Sequence, residues 1–234
     1  ANNAFITKPG YPIASFYGYK YIGVFQSEEE LAKYPHLSGD KVGDGRYEDV
    51  NKDGVLDQND KTILGDNNPL FTAGFSNSFS YKNFTLDIQF TGSYGAEVFS
   101  FYKRMCGIYH GDRNGMIEQL GRWQSKDQPG DGIHFRPTRT PSGWQRDPSS
   151  AWVQDASYLR LRNLTLGYNF DQKVLDKMKM KGLRLYVTGQ NLFTITNYVG
   201  YDPETSSESG LAQGGDYLGY PAARSFIIGA NITF

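Results

Sequence analysis

The chain has 234 residues, a formal net charge of −1, 15% aromatic residues, 27 glycines and one cysteine. A near-neutral chain without a basic stripe excludes nucleic acid as a partner, and the single Cys106, read as a small buried or loop residue, excludes an internal disulfide or a cysteine-built metal site. No run of 18 apolar residues occurs, which excludes a membrane-spanning helix but not a membrane barrel, whose strands are only half apolar.

The first segment, residues 1–69, carries no long strand pattern. Ala1-Asn2-Asn3-Ala4 lacks the basic start and apolar core of a signal peptide, so a removed signal or a fragment is expected. Residues 49–60 read Asp-Val-Asn-Lys-Asp-Gly-Val-Leu-Asp-Gln-Asn-Asp, which follows the D-x-[DN]-x-[DN]-G calcium loop. Asp49, Asn51 and Asp53 take the first three oxygen-ligand positions, and Gly54 permits the sharp turn. Val55 would offer its carbonyl, Asp57 fits the ninth position and Asp60 the twelfth. Leu56 is the apolar anchor. Asp60 stands where sensor loops carry Glu, and its shorter arm predicts weaker, structural calcium binding. The bland reading of the same residues is an acidic Asx-turn loop without metal.

Five strands follow. Phe71, Ala73, Phe75, Phe79 and Tyr81 alternate with Thr72, Gly74, Ser76, Ser78 and Ser80. Lys82-Asn83 reads as a tight turn into a second strand, with Phe84, Leu86, Ile88, Phe90 and Tyr94 on one face and Thr85, Asp87, Gln89, Thr91 and Ser93 on the other. The third runs from Tyr158 to Phe170. Leu159 and Leu161 have the opposite parity to Leu164 and Leu166, and Arg160 and Arg162 share the parity of the latter pair. Either a bulge near Asn163 resolves this, or that end sits at or above the interface, where a lipid-facing Arg costs only ~0–1 kcal/mol. The fourth runs from Leu183 to Thr194, and the fifth places Phe226, Ile228, Ala230, Ile232 and Phe234 together. The longest of these runs have about 11–13 residues, the length a tilted strand needs to cross a bilayer. Aromatics gather near strand ends, Tyr81, Phe84, Phe170 and Phe234 at one end and Tyr94, Tyr158, Phe193 and Phe226 at the other, as two interfacial girdles would.

The connections alternate: residues 1–69 long, 82–83 tight, 96–157 long, 171–182 short with a polar helical stretch from Asp171 to Met180, and 195–221 long. Outer-membrane barrels sort short periplasmic turns from long extracellular loops in this way. Five strands cannot close such a barrel, so further strands are expected elsewhere. The expected fold is all-β, the C-terminal strands of a large antiparallel transmembrane barrel. Residues 1–69 form an extracellular loop segment with the calcium motif, and residues 70–234 form strands and connecting loops of one barrel domain.

Other constellations are weak. His36, His110 and His134 lack the spacing of a zinc site or triad, no carboxylate pair can be singled out, and no enzyme is expected. Trp123, Trp144 and Trp152 in the middle loop could stack on a sugar or pack the loop on itself; Trp123 and Trp144 are the candidate substrate contacts. The sequons at Asn83, Asn163 and Asn231 lie in or against strands and read as chance.

Several segments together resemble one family. They are Phe16-Tyr17-Gly18-Tyr19 with Gly23-Val24-Phe25, the acidic loop from Asp49 to Asp60, Gly65 with Pro69-Leu70-Phe71-Thr72-Ala73-Gly74, the stretch from Ala156 to Tyr168, Gly189-Gln190-Asn191-Leu192 through Asp202-Pro203-Glu204, and Tyr220-Pro221 into the last strand ending at Phe234. In this order, over nearly the whole chain, they resemble the C-terminal part of the SusC/RagA family of TonB-dependent outer-membrane transporters of Bacteroidota. The resemblance implies a plugged barrel of about 22 strands. It also implies TonB-driven import of a small oligosaccharide or peptide, a SusD-like surface lipoprotein as lid, and contact with outer-membrane lipid. Two rivals are a secreted calcium-binding carbohydrate-binding β module, which requires a closed sandwich burying the Phe84 face, and a purely architectural wall, for which Trp123 and Trp144 would not matter to uptake.

Overall fold

A computed structural model describes residues 4–107, 114–138, 147–205 and 209–234. In chain order the elements are β1 (Phe5–Ile6), β2 (Ser15–Gly18), β3 (Tyr21–Val24), α1 (Glu28–Lys33), β4 (Gly45–Tyr47), β5 (Thr62–Gly65), β6 (Phe71–Tyr81), β7 (Phe84–Tyr94), β8 (Glu97–Ser100) and α2 (Phe101–Gly107). They continue with β9 (Val153–Asp155), β10 (Tyr158–Asn169), α3 (Gln172–Met178), β11 (Gly182–Gln190), β12 (Thr194–Thr196), β13 (Gly215–Asp216) and β14 (Ser225–Thr233). Two compact units result. One comprises residues 1–68, 97–154 and 205–219, the other residues 69–96, 155–204 and 220–234.

The second unit is an antiparallel meander in the order β14-β11-β10-β7-β6, with β12 also paired to β10. Each long strand lies beside its neighbour in sequence, as in an up-and-down barrel wall. The register aligns the faces that alternation predicts. Phe75 sits opposite Phe90, and Phe79 opposite Leu86. Leu86 meets Leu166, which meets Val187, which meets Ile228. Ser78, Asp87, Thr165 and Thr188 form the matching polar row. Asn77 interrupts the apolar row opposite Ile88. At the tight turn Lys82 takes a left-handed φ of 53°.

The expected bulge is present: the β7–β10 register shifts between Leu161 and Asn163. Arg162 is the extra residue, and on its far side Leu159 and Leu161 return to the apolar face, opposite Gly92 and Phe90. Arg160 and Tyr158 thereby join the polar face, opposite Thr91 and Ser93. Tyr158 is therefore not part of an outward aromatic girdle. At the other end Phe84, Tyr168 and Phe170 do cluster, with centroids 4.9 and 5.0 Å apart.

The fourth strand is shorter than read. β11 ends at Gln190 because Asn191 turns left-handed at φ 50°, and β12 resumes the pairing with β10. The kink faces the bulge: Asn191 N–H donates to the Arg162 carbonyl at 3.1 Å, and Leu161 N–H to that of Phe193 at 3.1 Å. In the short connection α3 occupies the expected helical stretch.

The apolar face of this sheet is open. Phe84 is 50% exposed, Phe226 72% and Ile228 83%. A sandwich would have buried these residues, so the secreted-module alternative fails here.

The first unit collects the segments without strand periodicity around an aromatic core. Phe16, Phe99, Phe101, Phe135 and Trp152 are buried with Val24 and Ala4. Phe99 lies 6.0 Å from Phe16 and 4.9 Å from Phe101, and Phe101 stacks on Tyr217 at 4.1 Å. Its strands have two to four residues, too short to print a period on the sequence. Glycine is required at Gly18, where the chain passes Pro148 so closely that a Cβ would lie 2.2 Å from the Pro148 carbonyl oxygen.

Candidate functional site

The polar face of the meander follows from strand parity. Asp87 accepts the Ser78 hydroxyl at 2.6 Å, and the Arg184 guanidinium lies 3.7 Å from Asp87 and donates to the Thr85 hydroxyl at 3.1 Å. The Thr165 and Thr188 hydroxyls bond at 2.7 Å. Tyr186 lies flat across Gly229, where a Cβ would meet its ring at 2.3 Å. The Asp87–Arg184 pair is half-exposed and contributes ~0–1 kcal/mol; its main effect is a polar, hydrogen-bonding surface.

At the bulge end lies a buried ion cluster. Arg160 is 3% exposed and all three guanidinium nitrogens are engaged. Nε donates to the Thr194 hydroxyl at 2.8 Å, one terminal nitrogen to Asp202 at 2.6 Å and the other to Glu204 at 2.5 Å. Arg162 and the Tyr158 hydroxyl also donate to Glu204. Asp202 further accepts the Glu204 and Ala222 backbone N–H groups, each at 3.0 Å. One carboxylate thus joins the outgoing and returning ends of the loop between β12 and β14 and ties both to the wall.

Burial raises the proton affinity of Asp202, but the Arg160 hydrogen bond and the two backbone amides outweigh it and hold its pKa below the ordinary carboxylate range. A depressed folded-state pKa contributes stability above the unfolded value, near ~3.9, that is lost as pH falls through the folded value. The loop base is therefore expected to stay protected from protease at pH 5 and to open only below about pH 4; opening already between pH 6 and pH 5 would contradict this.

Residues 49–60 form the expected sharp turn, with Gly54 at φ 83°. Asp49 accepts the Lys52 and Gly54 N–H groups at 2.7 and 2.9 Å, Asn51 that of Asp53 at 3.0 Å, and Asp53 that of Val55 at 2.8 Å. Asp57 caps a short 3₁₀ turn, Gln58–Asp60. Asp60 is fully buried, its oxygens accepting Val50 N–H at 2.9 Å and Asp57 N–H at 2.8 Å. Leu56 anchors the loop beside Tyr19 and Tyr47. Among the described residues no three His, Cys, Asp or Glu side chains converge as metal ligands. The carboxylates are turned onto the loop's own amides, although each oxygen keeps a second lone pair. In donor chemistry the set Asp49, Asn51, Asp53, Val55 carbonyl, Asp57 and Asp60 fits calcium, a hard cation bound by oxygen.

Trp123 packs against the first unit's core, and a Cβ on Gly43 would lie 2.4 Å from its ring. Trp152 is buried there, whereas Trp144 and His110 lie outside the described residues. His134 bonds Asp131 at 2.5 Å, and His36 accompanies Phe25. Cys106 is a half-buried helical residue of α2. Parity alone did not identify the Arg160 cluster. The available signal was two arginines interleaved with leucines, Leu159-Arg160-Leu161-Arg162, which demand carboxylate partners when buried.

An open antiparallel meander with one apolar and one polar face is a wall segment of a β-barrel. No protein-family model matches the chain. It is 35% identical over 98% of its length to TonB-dependent receptor P3 of Formosa agariphila, and 27% identical over 97% to TonB-dependent receptor SusC of Bacteroides thetaiotaomicron. Its fold superposes over the whole chain on the RagAB peptide transporter with a TM-score of 0.77 at 22% identity, and on the open-open RagAB peptide importer with 0.72 at 23%. The chain is homologous over nearly its whole length to TonB-dependent receptors, SusC among them, and shares the barrel fold of RagAB. It spans about a quarter of those proteins, 23% of receptor P3 and 24% of the RagAB chain.

Proposed function

We propose that this chain is part of the wall and outer loops of a TonB-dependent outer-membrane importer of small oligosaccharides or peptides. The carrying observation is the two-faced open sheet: an apolar face of Phe, Leu and Ile for lipid, a polar face of Thr, Asp, Gln and Arg for a wet lumen, and outer edges of β6 and β14 that pair with no strand among the described residues and would take further strands. The short turns after β6 and β10 would face the periplasm and the long segments the outside, as in the C-terminal part of a SusC-like barrel. TonB coupling and a plug would reside in the rest of the polypeptide, and a SusD-like surface lipoprotein would close the outer face. The role is transport, and no catalytic residue is assigned.

The experiment is to fractionate cells producing the whole polypeptide and follow it by mass. Recovery in the outer membrane with a co-purifying lipoprotein supports the reading, and a free soluble 26.3 kDa protein rejects it.

The acidic loop is part of this proposal as a calcium staple held by Asp49, Asn51, Asp53, the Val55 carbonyl, Asp57 and Asp60. Calcium would offset the mutual repulsion of four carboxylates within twelve residues. Calcium at a hundred times its dissociation constant is expected to stabilise the protein by about 2.7 kcal/mol, read as a rise in Tm over chelator. Asp53→Ala should abolish that rise; Asp53 is exposed and accepts one backbone amide, that of Val55, whereas Asp60 is buried and accepts the Val50 and Asp57 amides of the turn itself. An unchanged Tm with and without calcium would remove the metal and leave an Asx-turn loop.

A further inference from the structure

The ion cluster does more than tie down a loop, because a cleft opens beside it. Its lining includes Arg160, Asp202, Thr194, Tyr201, Pro221 and Arg224, around about 830 Å³ of empty space, part of it open to solvent. Register places Thr194, like Arg160, on the polar face. The cleft lies just beyond the last β11–β14 pair, Gln190 with Ser225, where Asn191 turns left-handed and neither strand continues.

The charges of this lining do not cancel. It contains two arginines and one aspartate. The aspartate is already bonded to Arg160, whereas Arg224 makes no hydrogen bond or ion pair among the described residues. Nor is Arg224 on an untethered segment. Ala222 N–H is bonded to Asp202 at 3.0 Å, and the Asn191 side-chain amide donates to the Ala223 carbonyl at 3.0 Å, so both residues before it are pinned. Across the cleft the Tyr201 ring is 68% exposed, and the half-buried Pro221 ring adds apolar surface.

We propose that this cleft is a binding subsite for an acidic group, a carboxylate or a sulfate, carried on a small oligomer. Arg224 is the charge that meets it, with the planar guanidinium fork that suits a two-oxygen anion. Tyr201 and Pro221 cover the adjoining ring or aliphatic part, and Arg160 and Asp202 are positioning residues that hold Arg224 in place. The proposal rests on the importer reading and narrows its substrate class to anionic oligomers. Uronate sugars and acidic peptides share this chemistry.

The test is a binding titration on the purified full-length protein with three probes: a galacturonate trimer, a triglutamate peptide and uncharged maltotriose. At least one acidic probe is expected to bind more tightly than maltotriose, and raising the salt from 50 to 500 mM should weaken it, since the contact is partly exposed. Arg224→Gln should reduce that affinity about tenfold, as loss of one charge-assisted pair does, and Arg224→Lys should restore part of it. Asp202→Asn should weaken the acidic probe too, because it loses a carboxylate oxygen of the pair that holds Arg160 and the Ala222 amide ahead of Arg224. Which acidic probe binds separates a sugar source from a peptide source. Acidic probes no tighter than maltotriose, or unchanged binding in Arg224→Gln, would overturn the subsite. Outer-membrane recovery of the same protein would leave the importer reading intact in that event.

Discussion

Ile88→Arg is expected to destabilise the folded protein in its bilayer by about 2–4 kcal/mol, the cost of a guanidinium on the lipid face at mid-depth. Ile88 lies near the middle of β7, opposite Asn77 on β6 and Leu164 on β10, on the apolar face. One residue along, Gln89 faces Ser76 and Asn163 on the polar side. Gln89→Arg should therefore change stability by no more than about 0.5 kcal/mol, as a solvated substitution does. Folding yield into lipid vesicles, compared between the two variants of the whole protein, reads the difference. Equal tolerance of both arginines would mean that the two faces do not meet different solvents.

Arg160→Ala is expected to cost about 3–5 kcal/mol, the range for breaking a buried ion pair and leaving its partner uncompensated. Asp202 is 8% exposed, and its remaining donors are two backbone amides, which cannot replace a full positive charge. Arg162→Ala should cost ~1 kcal/mol or less, because Arg162 and Glu204 are both partly exposed and Glu204 would keep Arg160 and Tyr158. Replacing Arg160 and Asp202 together with apolar residues should cost less than Arg160→Ala alone, since no stranded charge remains. Denaturant unfolding of the four proteins measures all three differences. A result in which Arg160→Ala and Arg162→Ala cost the same would contradict the burial that separates them.

The wall was legible because a strand writes its faces into the sequence with a period of two. Phe84, Leu86 and Ile88 against Thr85, Asp87 and Gln89 needed no partner to be read. The bulge was legible for the same reason, as a break in parity between Leu161 and Leu164. What the bulge accomplishes was not. Arg160 meets Asp202 and Glu204 across more than forty residues, and a long-range ion pair leaves no local period. Distance from the strand end places Tyr158 in a lipid-facing girdle, but the bulge reverses its parity and puts it opposite Ser93 on the polar face. The aromatic core around Phe16 and Phe99 was hidden as well, since strands of four residues joined by irregular chain look like loops. The acidic loop was readable as a motif, and its turn at Gly54 has the expected handedness. The subsite at Arg224 could not have been foreseen, because it depends on where β11 stops.

The central claim is that β7 stands between lipid and lumen. It is tested most directly by placing single cysteines along β7 of the full-length protein in native outer membranes, after Cys106→Ser. Positions 85, 87, 89 and 91 should react with a charged, water-soluble maleimide, while 86, 88 and 90 should react with a bilayer-dissolved one instead. Labelling without a two-residue period, or water-soluble labelling of both faces, would contradict a membrane-spanning wall.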